Sequence, residues 1–536
     1  MDSIRIKRLR SLSDTGNIEI KPITVLLGQN SNGKSTFLRV FPLLKQSVES
    51  RTTGPILLYG RLVDFGNFED AHQHGSDNTI AFIFKFKLYQ GDSLYDDEYL
   101  NRVIFRQTRL LHDIDIELTL EITEGKEKEI TRTSKLTLLL EDSEIKISFD
   151  SSKYVSEFYV NTLDVLGFNN RYIARNRFLL PDIHEEIEEK KDSEIDAIKP
   201  QRYRRITRAM ISSSILGILL KQVKDKVHHA TSNENIKIIS SNFGVGNSEK
   251  ILEDFKNPKH SMKSWQKSIQ NWNIENQDFK YLRNLLIATH VPNLLRKCDE
   301  ILANFSRSVS YMGPVRATAE RYYRTRDLAV DEIDYQGRNL TIFLRNLTDS
   351  EMDNFAQWTQ SNFGFMPSIQ SGLGHISLRI QPRGSEKDLN IADTGFGFSQ
   401  ILPIITQLWF LSFALKRPSQ ARLKRYPQVP ITYTIEQPEL HLHPRLQGIL
   451  TDVFVKSVEI AKENGIDLRL IIETHSETMV NRLGHLVAEN RILSDSINLV
   501  LFEPSDIAGE VRVRTTKFDN EGYLSDWPIG FFEMEY

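Results

Sequence analysis

Apolar and polar positions alternate over residues 78–165 of the chain. Apolar side chains recur at every second position in the runs 80–88, 114–122 and 135–140, with charged or glycine-containing turns between them. This period of two is typical of strands that bury one face and expose the other. The stretch is therefore predicted to form an antiparallel sheet.

Two other regions carry near-continuous apolar runs. Residues 23–27 form one, after shorter alternating runs near the N-terminus. From residue 376 onward, β-rich runs at 431–435, 468–472 and 497–502 alternate with helical stretches. Continuous apolar runs suit strands buried on both faces, and strands alternating with helices predict a largely parallel sheet.

The middle of the chain changes character. Residues 184–192 are highly charged, and helical patterns follow at 202–225 and 277–308. Heptad patterning is too weak for a long coiled coil, so an inserted helical lobe is predicted over 183–310. The predicted fold class is α/β, with an antiparallel β lobe, a parallel core sheet and this helical insertion.

Composition limits the classes of protein. A chain of 536 residues is too long for one ordinary core. Its net charge of −3 gives no overall nucleic-acid signal, and its single cysteine, Cys298, fits a reducing compartment. The sequence shows neither a secretory signal nor an apolar run of about 18 residues, so we expect a cytoplasmic protein without a membrane span.

The segment GQNSNGKST at 28–36 fits the pattern G-x-x-x-x-G-K-[ST]. It follows an apolar run and precedes a helical stretch, which is the context that a phosphate-binding loop requires. Lys34 is expected to reach the β- and γ-phosphates, and the Ser35 hydroxyl to bind Mg²⁺. The residues predicted to hold the nucleotide are Gly28, Asn30, Ser31, Asn32, Gly33, Lys34, Ser35 and Thr36.

A P-loop also requires a carboxylate at the end of a neighbouring strand to help hold Mg²⁺. The apolar run 431–435 ends in Glu436, which supplies it, and the predicted magnesium ligands are Ser35 and Glu436. A second β-rich run ends about thirty residues later in Glu473, followed by Thr474 and His475.

These motifs together resemble the ABC-type ATPases. IEQPELHLHP at 435–444 and IIETHSE at 471–477 are similar to their Walker B, D-loop and switch-histidine segments. The P-loop and YMGPVR at 311–316 resemble the overcoming-lysogenization-defect-like and SMC-like branch. The C-terminal segment 523–532 resembles the ATPase subunits of Septu-type anti-phage systems, some of them retron-associated.

The resemblance implies an ABC-ATPase head divided by the helical insertion. Its N-terminal part would be 1–182, with the P-loop and the antiparallel strands, and its C-terminal part 311–505. Residues 506–536 would form a small terminal segment. Within the head, Glu436 would bind Mg²⁺ and His475 would sense the γ-phosphate. Ser399, in a segment at the place of the ABC signature, would reach ATP held by a second protomer.

One residue departs from the family pattern. The position after the Walker B acid usually carries a catalytic Glu that orients the attacking water, and here it is Gln437. A neutral amide can position water but cannot take its proton. Either hydrolysis is slow and the ATP-bound state persists, which we favour, or Glu439 supplies the carboxylate.

Three other sets of polar residues allow both a structural and a functional interpretation. His441 and His443 near Glu439 are too few for a closed zinc site, so a D-loop at a protomer interface is preferred. Arg316 would form either a structural salt bridge or a phosphate or interface contact. A run of arginines would be either a solvated helix face or a nucleic-acid contact, and it comprises Arg202, Arg204, Arg205 and Arg208.

The function implied by the resemblance is a regulatory ATPase subunit in phage defence. The chain shows no nuclease motif, whereas Septu-like systems use a separate His-Asn-His nuclease. We therefore expect a homodimer or higher oligomer that binds ATP and Mg²⁺ and controls such a nuclease. Nucleic acid is a possible further partner, either DNA or retron RNA and DNA with a reverse transcriptase. The alternative is an SMC-like repair or chromosome-maintenance ATPase that acts directly on DNA.

Overall fold

The computed structural model of the protein describes most of the chain. The described residues are 1–75, 77–91, 109–125, 130–168, 171–186, 214–240, 243–257, 262–324, 330, 332–372, 374–413, 429–505 and 510–524. The predicted basic run at 202–208 lies outside them, as does most of the C-terminal segment that carries Trp527 and Phe531.

The strands are short to medium in length and fall in two groups along the chain. In order they are β1 (Ser3–Leu9), β2 (Leu12–Asp14), β3 (Ile18–Glu19), β4 (Ile23–Gly28), β5 (Ile80–Leu88), β6 (Ile114–Glu124), β7 (Thr131–Leu140), β8 (Ser143–Phe149), β9 (Val155–Val160), β10 (Leu163–Asp164), β11 (Tyr172–Asn176), β12 (Pro181–Glu185), β13 (Val309–Met312), β14 (Tyr323–Arg324), β15 (Phe365–Gly372), β16 (His375–Pro382), β17 (Leu389–Asn390), β18 (Ile431–Glu436), β19 (Leu468–Glu473), β20 (Ile497–Pro504) and β21 (Val511–Thr516).

The helices are concentrated in the middle and the C-terminal part of the chain. In order they are α1 (Lys34–Leu38), α2 (Val40–Glu49), α3 (Phe68–Ala71), α4 (Ser214–Asp225), α5 (Asn233–Ser240), α6 (Ser248–Lys256), α7 (Lys263–Ile269), α8 (Gln277–Arg307), α9 (Leu340–Arg345), α10 (Asp349–Phe363), α11 (Phe396–Phe413), α12 (Pro444–Glu463) and α13 (Glu477–Ala488).

The chain forms two compact units, each built from separated stretches of sequence. The first consists of residues 1–4, 47–58 and 65–303. The second consists of residues 5–46, 59–64 and 304–536. The antiparallel strands thus share a unit with the helical segment rather than with the P-loop strand, and the predicted domain boundaries stay a prediction.

The first unit contains an antiparallel sheet in which β5 to β10 pair in sequence order. Ile80 of β5 lies opposite Ile122 of β6, and the alternate positions Ile114, Ile116 and Leu118 of β6 are buried. This confirms the period-two prediction. The predicted helix 277–308 is also confirmed as α8.

Aromatic side chains form the core beneath the helices of the first unit. Trp265 is fully buried and lies against Phe243 and Phe255, with ring centroids 5.6 and 6.3 Å away. Its indole N–H donates to the Phe255 carbonyl oxygen at 2.8 Å, so the polar atom of this large side chain is paired inside the core.

The second unit is organised around a six-stranded sheet in the order β13-β18-β19-β4-β20-β21. Neighbours from β13 to β20 pair in parallel, and β21 is antiparallel to β20. Every residue of β4 is buried, as its continuous apolar run predicts. The largely parallel sheet is confirmed, and with it the predicted α/β class.

Helices α11, α12 and α13 supply the apolar side chains that pack with this sheet. Leu402, Ile405 and Leu408 of α11 are fully buried in the same core as Leu450 and Phe454 of α12. Because strands of a parallel sheet point their carboxyl ends to one edge, the loops after β4, β18 and β19 meet there. Among the described residues, no helix has the length and apolar character that a membrane span needs.

Candidate active site

The loop after β4 is shaped by glycines at both ends. Gly28 has φ +155°, and a Cβ there would clash with the Phe502 carbonyl of β20, which lies opposite it in register. Gly33 has φ +82°, and an added Cβ would lie 2.7 Å from Leu12. Only glycine suits both positions. The loop then enters α1 at Lys34, so backbone N–H groups at the helix start face the loop.

Lys34 is buried inside the loop, with 3% of its surface exposed. Its Nζ donates to the carbonyl oxygens of Gly28, at 2.9 Å, and Gln29, at 2.6 Å. Burial lowers the pKa of Lys34, while Glu473 and Glu439 oppose that shift. Asn30 and Ser31 at the loop tip are exposed, so a phosphate can approach the loop from solvent.

Two glutamates stand side by side at the carboxyl edge of the sheet. Glu436 ends β18, Glu473 ends β19, and the two are direct register partners. The sequence predicts Glu436 at the end of a strand neighbouring the P-loop strand. In the sheet, β19 separates β18 from β4, so Glu473 stands on the strand next to the P-loop strand.

Both carboxylate oxygens of Glu436 are bound within the chain. Arg39 donates from Nε to Oε1 at 2.7 Å and from Nη2 to Oε2 at 2.8 Å. The Tyr311 hydroxyl also donates to Oε1, at 2.7 Å. Hydrogen bonding to Glu436 raises the pKa of Arg39, and burial, followed by the charge of Glu436, raises that of Tyr311.

Glu473 has different surroundings. The Ser35 hydroxyl donates to its Oε1 at 2.7 Å, while its Oε2 is buried without a hydrogen-bond partner among the described residues. Burial, and then the adjacent charge of Glu436, raises the pKa of Glu473 to about 7, against the opposing effects of Ser35, Lys34 and Arg39. Hydroxyl and carboxylate oxygens are the ligands that Mg²⁺ takes, so these residues fit that ion.

Gln437 begins a strained turn directly after Glu436. Its φ is +43°, in the left-handed region that a non-glycine residue rarely adopts. The turn is held at three points: the Gln437 N–H donates to the Glu473 carbonyl at 2.9 Å, and Nη2 of Arg316 donates to the carbonyls of Glu436 and Gln437 at 2.8 and 3.1 Å.

Arg316 is buried, with 3% of its surface exposed. Its Nε and Nη1 have no hydrogen-bond partner in the part of the chain that the structure describes. Burial lowers its pKa to about 10. These bonds are neither the salt bridge nor the phosphate or interface contact considered from the sequence, because Arg316 binds main-chain carbonyls in the turn after β18.

Glu439 connects the turn after β18 to His475, which follows β19. Its Oε1 accepts from the His475 backbone N–H at 2.7 Å, and burial raises the pKa of Glu439. Burial also lowers the pKa of His475, which favours the neutral ring. Ser476 begins α13, and its hydroxyl donates to Oε1 of Gln447 at 2.6 Å. The segment that follows β19 is therefore fixed to α12 as well.

Ser399 lies in the first turn of α11 and is buried. It lines a cavity of about 820 Å³ together with Tyr323, Arg338, His375 and Pro403. The predicted contact of Ser399 with ATP would involve a second protomer, and it stays a prediction.

His441 and His443 lie in the segment that leads from β18 to α12. His443 caps α12, with its Nδ1 accepting from the Arg445 N–H at 3.3 Å. Among the described residues no group of three or more His, Cys, Asp or Glu side chains is arranged to hold a metal ion.

The buried lysine in a glycine-bounded loop and the acids on adjacent strands define a P-loop nucleotide-binding protein. The chain belongs to the AAA ATPase domain family, whose model matches residues 1–480. This membership supports the predicted ATPase class and implies that the chain binds ATP. No curated protein matches the chain in sequence.

Solved structures with similarity to the chain include SMC head domains. One is the Pyrococcus furiosus SMC head domain with an extended coiled coil, bound to the C-terminal domain of ScpA. It is 10% identical, with 96% of each chain covered and a TM-score of 0.33. Another is the SMC head domain from Thermotoga maritima, 8% identical, with 96% of this chain and 97% of that chain covered and a TM-score of 0.31.

Three residues of the site were not predicted from the sequence. Arg39 follows Ser35 by four positions, which places both on one face of a helix, and this spacing could have indicated it. Glu473 ends an apolar run just as Glu436 does. Tyr311 lies in the predicted YMGPVR motif, but its hydroxyl reaches Glu436 only because β13 pairs with β18.

Proposed function

We propose that the chain is the ATP-binding subunit of a bacterial anti-phage defence complex, in which two copies close around ATP and control a separate nuclease. Membership of an ATPase family supports ATP binding, and the site geometry supports a long-lived ATP state. The defence role and the nuclease rest on the resemblance of the sequence motifs.

The contacts of the loop support nucleotide binding. Lys34 holds two loop carbonyls, and the β- and γ-phosphates would replace these as its partners. The start of α1 offers backbone N–H groups to the same anion. The Ser35 hydroxyl and an acid at the sheet edge would hold Mg²⁺, which neutralises phosphate charge when bound.

Gln437 is the observation that carries a regulatory function. It follows Glu436 at the carboxyl edge, and its main chain is fixed by Glu473 and Arg316. An amide held there can orient a water molecule but cannot accept its proton, so turnover should be slow. A motor needs rapid cycles of hydrolysis, whereas a switch needs an ATP-bound state that persists. Slow hydrolysis therefore suits a switch.

Closure of two copies around ATP would use Ser399. This serine is near the N-terminal end of α11, which can direct N–H groups and a positive dipole end at a phosphate. Slow hydrolysis would then prolong the closed dimer. The nuclease would be restrained or released according to the lifetime of that dimer.

Purification of the full chain with the products of its neighbouring genes tests this proposal. Wild type, Lys34→Ala and the exposed-lysine control Lys267→Ala are compared, each with and without ATP. We expect a His-Asn-His nuclease to be retained, with cleavage that depends on ATP in wild type and in the control but not in Lys34→Ala.

Two outcomes contradict the proposal. If no nuclease is retained in any nucleotide state, the regulatory-subunit function is wrong. If the chain alone binds DNA in an ATP-dependent manner and retains no nuclease, the alternative of an ATPase that acts directly on DNA replaces it.

A further inference from the structure

The hydroxyl of the P-loop serine contacts the acid of one strand and not that of the other. Ser35 Oγ donates to Glu473 Oε1 at 2.7 Å. Since β19 lies between β4 and β18, Glu473 stands on the strand adjacent to the P-loop strand, with Leu26 of β4 as its register partner. The position of Ser35 in the phosphate-binding motif makes this contact relevant to the metal.

Glu436 has little capacity left for a cation. Its Oε1 already accepts from Arg39 and Tyr311, and its Oε2 accepts from Arg39. A carboxylate oxygen offers about two acceptor positions, so Oε1 is saturated. The bidentate guanidinium also compensates the negative charge, and replacing it by a metal ion would leave a half-buried arginine unpaired.

Glu473, in contrast to Glu436, has a carboxylate oxygen available to bind a cation. Its Oε1 accepts from a neutral hydroxyl, and its Oε2 is buried without a hydrogen-bond partner among the described residues. The ammonium of Lys34, although near, donates to carbonyl oxygens of the loop. A buried carboxylate with an unused oxygen beside a hydroxyl is an oxygen pair suited to a hard divalent cation.

We propose that Glu473, through its bond to Ser35 and its unpaired Oε2, is the acid of the magnesium site, and that Glu436 anchors α1 to the sheet through Arg39. This assignment rests on the proposed ATP-binding function. It gives Glu473 the magnesium role that the sequence motifs imply for Glu436. Glu473 orients the Ser35 hydroxyl and directs negative charge at the ion, whereas Glu436 maintains the framework around it.

Manganese binding to the full chain separates the two acids. Mn²⁺ replaces Mg²⁺ as an EPR-visible probe, in the presence of a saturating non-hydrolysable ATP analogue. Glu473→Gln should weaken Mn²⁺ binding about 10- to 100-fold, the range for residues that orient metal ligands. Analogue binding in EDTA and the Tm should stay near wild type. Glu463→Gln, at an exposed glutamate that ends α12, is the matched control and should change none of these values.

Glu436→Gln is the second arm of the experiment. It should keep Mn²⁺ affinity near that of wild type but lower the Tm, because Arg39 loses its charged partner. Should Glu473→Gln fail to fold, Glu473→Asp keeps the charge but shortens the reach to Ser35, and it should also weaken Mn²⁺ binding.

The outcomes distinguish this assignment from the proposed function. Wild-type Mn²⁺ affinity in both Glu473 variants, or a comparable loss in Glu436→Gln, overturns the assignment while ATP binding stands. Failure of the wild-type chain to bind the analogue at all overturns the proposed function, and the assignment with it.

Discussion

Arg39 donates hydrogen bonds to both carboxylate oxygens of Glu436, at 2.7 and 2.8 Å, and so connects the helical segment after the P-loop to the end of β18. The carboxylate side chain is 2% exposed and the guanidinium 32%. An ion pair of this kind is sensitive to the loss of one partner, because the charge left in the interior has no compensation.

Replacing Arg39 by Met should therefore destabilise the protein. Breaking a buried ion pair costs about 3–5 kcal/mol, and the partial exposure of Arg39 reduces this to about 2–3 kcal/mol. Urea unfolding of the full chain measures the change. Arg175→Met, at an exposed arginine, is the control, and an equal loss of stability in both variants would contradict a specific role for the pair.

The local motifs of the site were predictable, whereas the pairing of its acids was not. The phosphate-binding loop is one contiguous segment, 28–35, so the spacing of its glycines and lysine predicts the site without knowledge of the fold. Glu436 and Glu473 both end apolar runs, and nothing in either run tells which strand lies next to β4. That order comes from the sheet, as does the meeting of Tyr311 with Glu436.

Gln437→Glu should raise the rate of ATP hydrolysis. A carboxylate at this position can accept the proton of the attacking water, and general-base catalysis contributes about 10²–10⁴-fold where geometry permits. Because the turn at Gln437 is held by Glu473 and Arg316, the new side chain should start from the same backbone position. We expect an increase of about tenfold or more in steady-state phosphate release.

Glu439→Gln tests the alternative source of a carboxylate. If Glu439 supplies the base, this variant should lose hydrolysis, and Gln437→Glu should not exceed wild type. If hydrolysis is slow because of Gln437, Glu439→Gln should change the rate little. The bond that Glu439 accepts comes from the His475 backbone N–H, and an amide oxygen can still accept it.

His290 predicts a pH dependence of stability. It is 3% exposed within α8, and burial lowers its pKa to about 4. The unfolded-state pKa of a histidine is about 6.5, so between about pH 4 and 6.5 the unfolded chain binds more protons at this residue than the folded chain does. The contribution of His290 to stability is therefore full above about pH 6.5 and falls as the pH decreases. The loss reaches at most about 3 kcal/mol.

His290→Gln removes this titration and should flatten the decline of Tm between pH 6.5 and 4 relative to wild type. His485→Gln, at an exposed position of α13, is the matched control. Parallel Tm curves for wild type and His290→Gln would show that protonation of this histidine does not couple to folding.

Ser399 should determine ATP-dependent self-association if two copies close around the nucleotide. Its hydroxyl would donate to a γ-phosphate oxygen, and a hydrogen bond to a charged group contributes about 1.5–3 kcal/mol. Ser399→Ala should then weaken dimerisation with a non-hydrolysable ATP analogue by about tenfold or more, with binding of the analogue to the monomer unchanged. Analytical ultracentrifugation across chain concentrations measures this.

Lys34→Ala and Ser361→Ala are the two reference variants for that measurement. Lys34→Ala should abolish dimerisation because the loop loses its phosphate contact, whereas Ser361→Ala alters an exposed serine of α10 and should dimerise as wild type does. Removal of the hydroxyl at position 399 changes side-chain volume little, so an intact Tm in Ser399→Ala separates loss of the contact from loss of the fold. If Ser399→Ala dimerises with wild-type affinity, ATP is not held between the P-loop of one copy and α11 of another, and control of a partner must use a different surface.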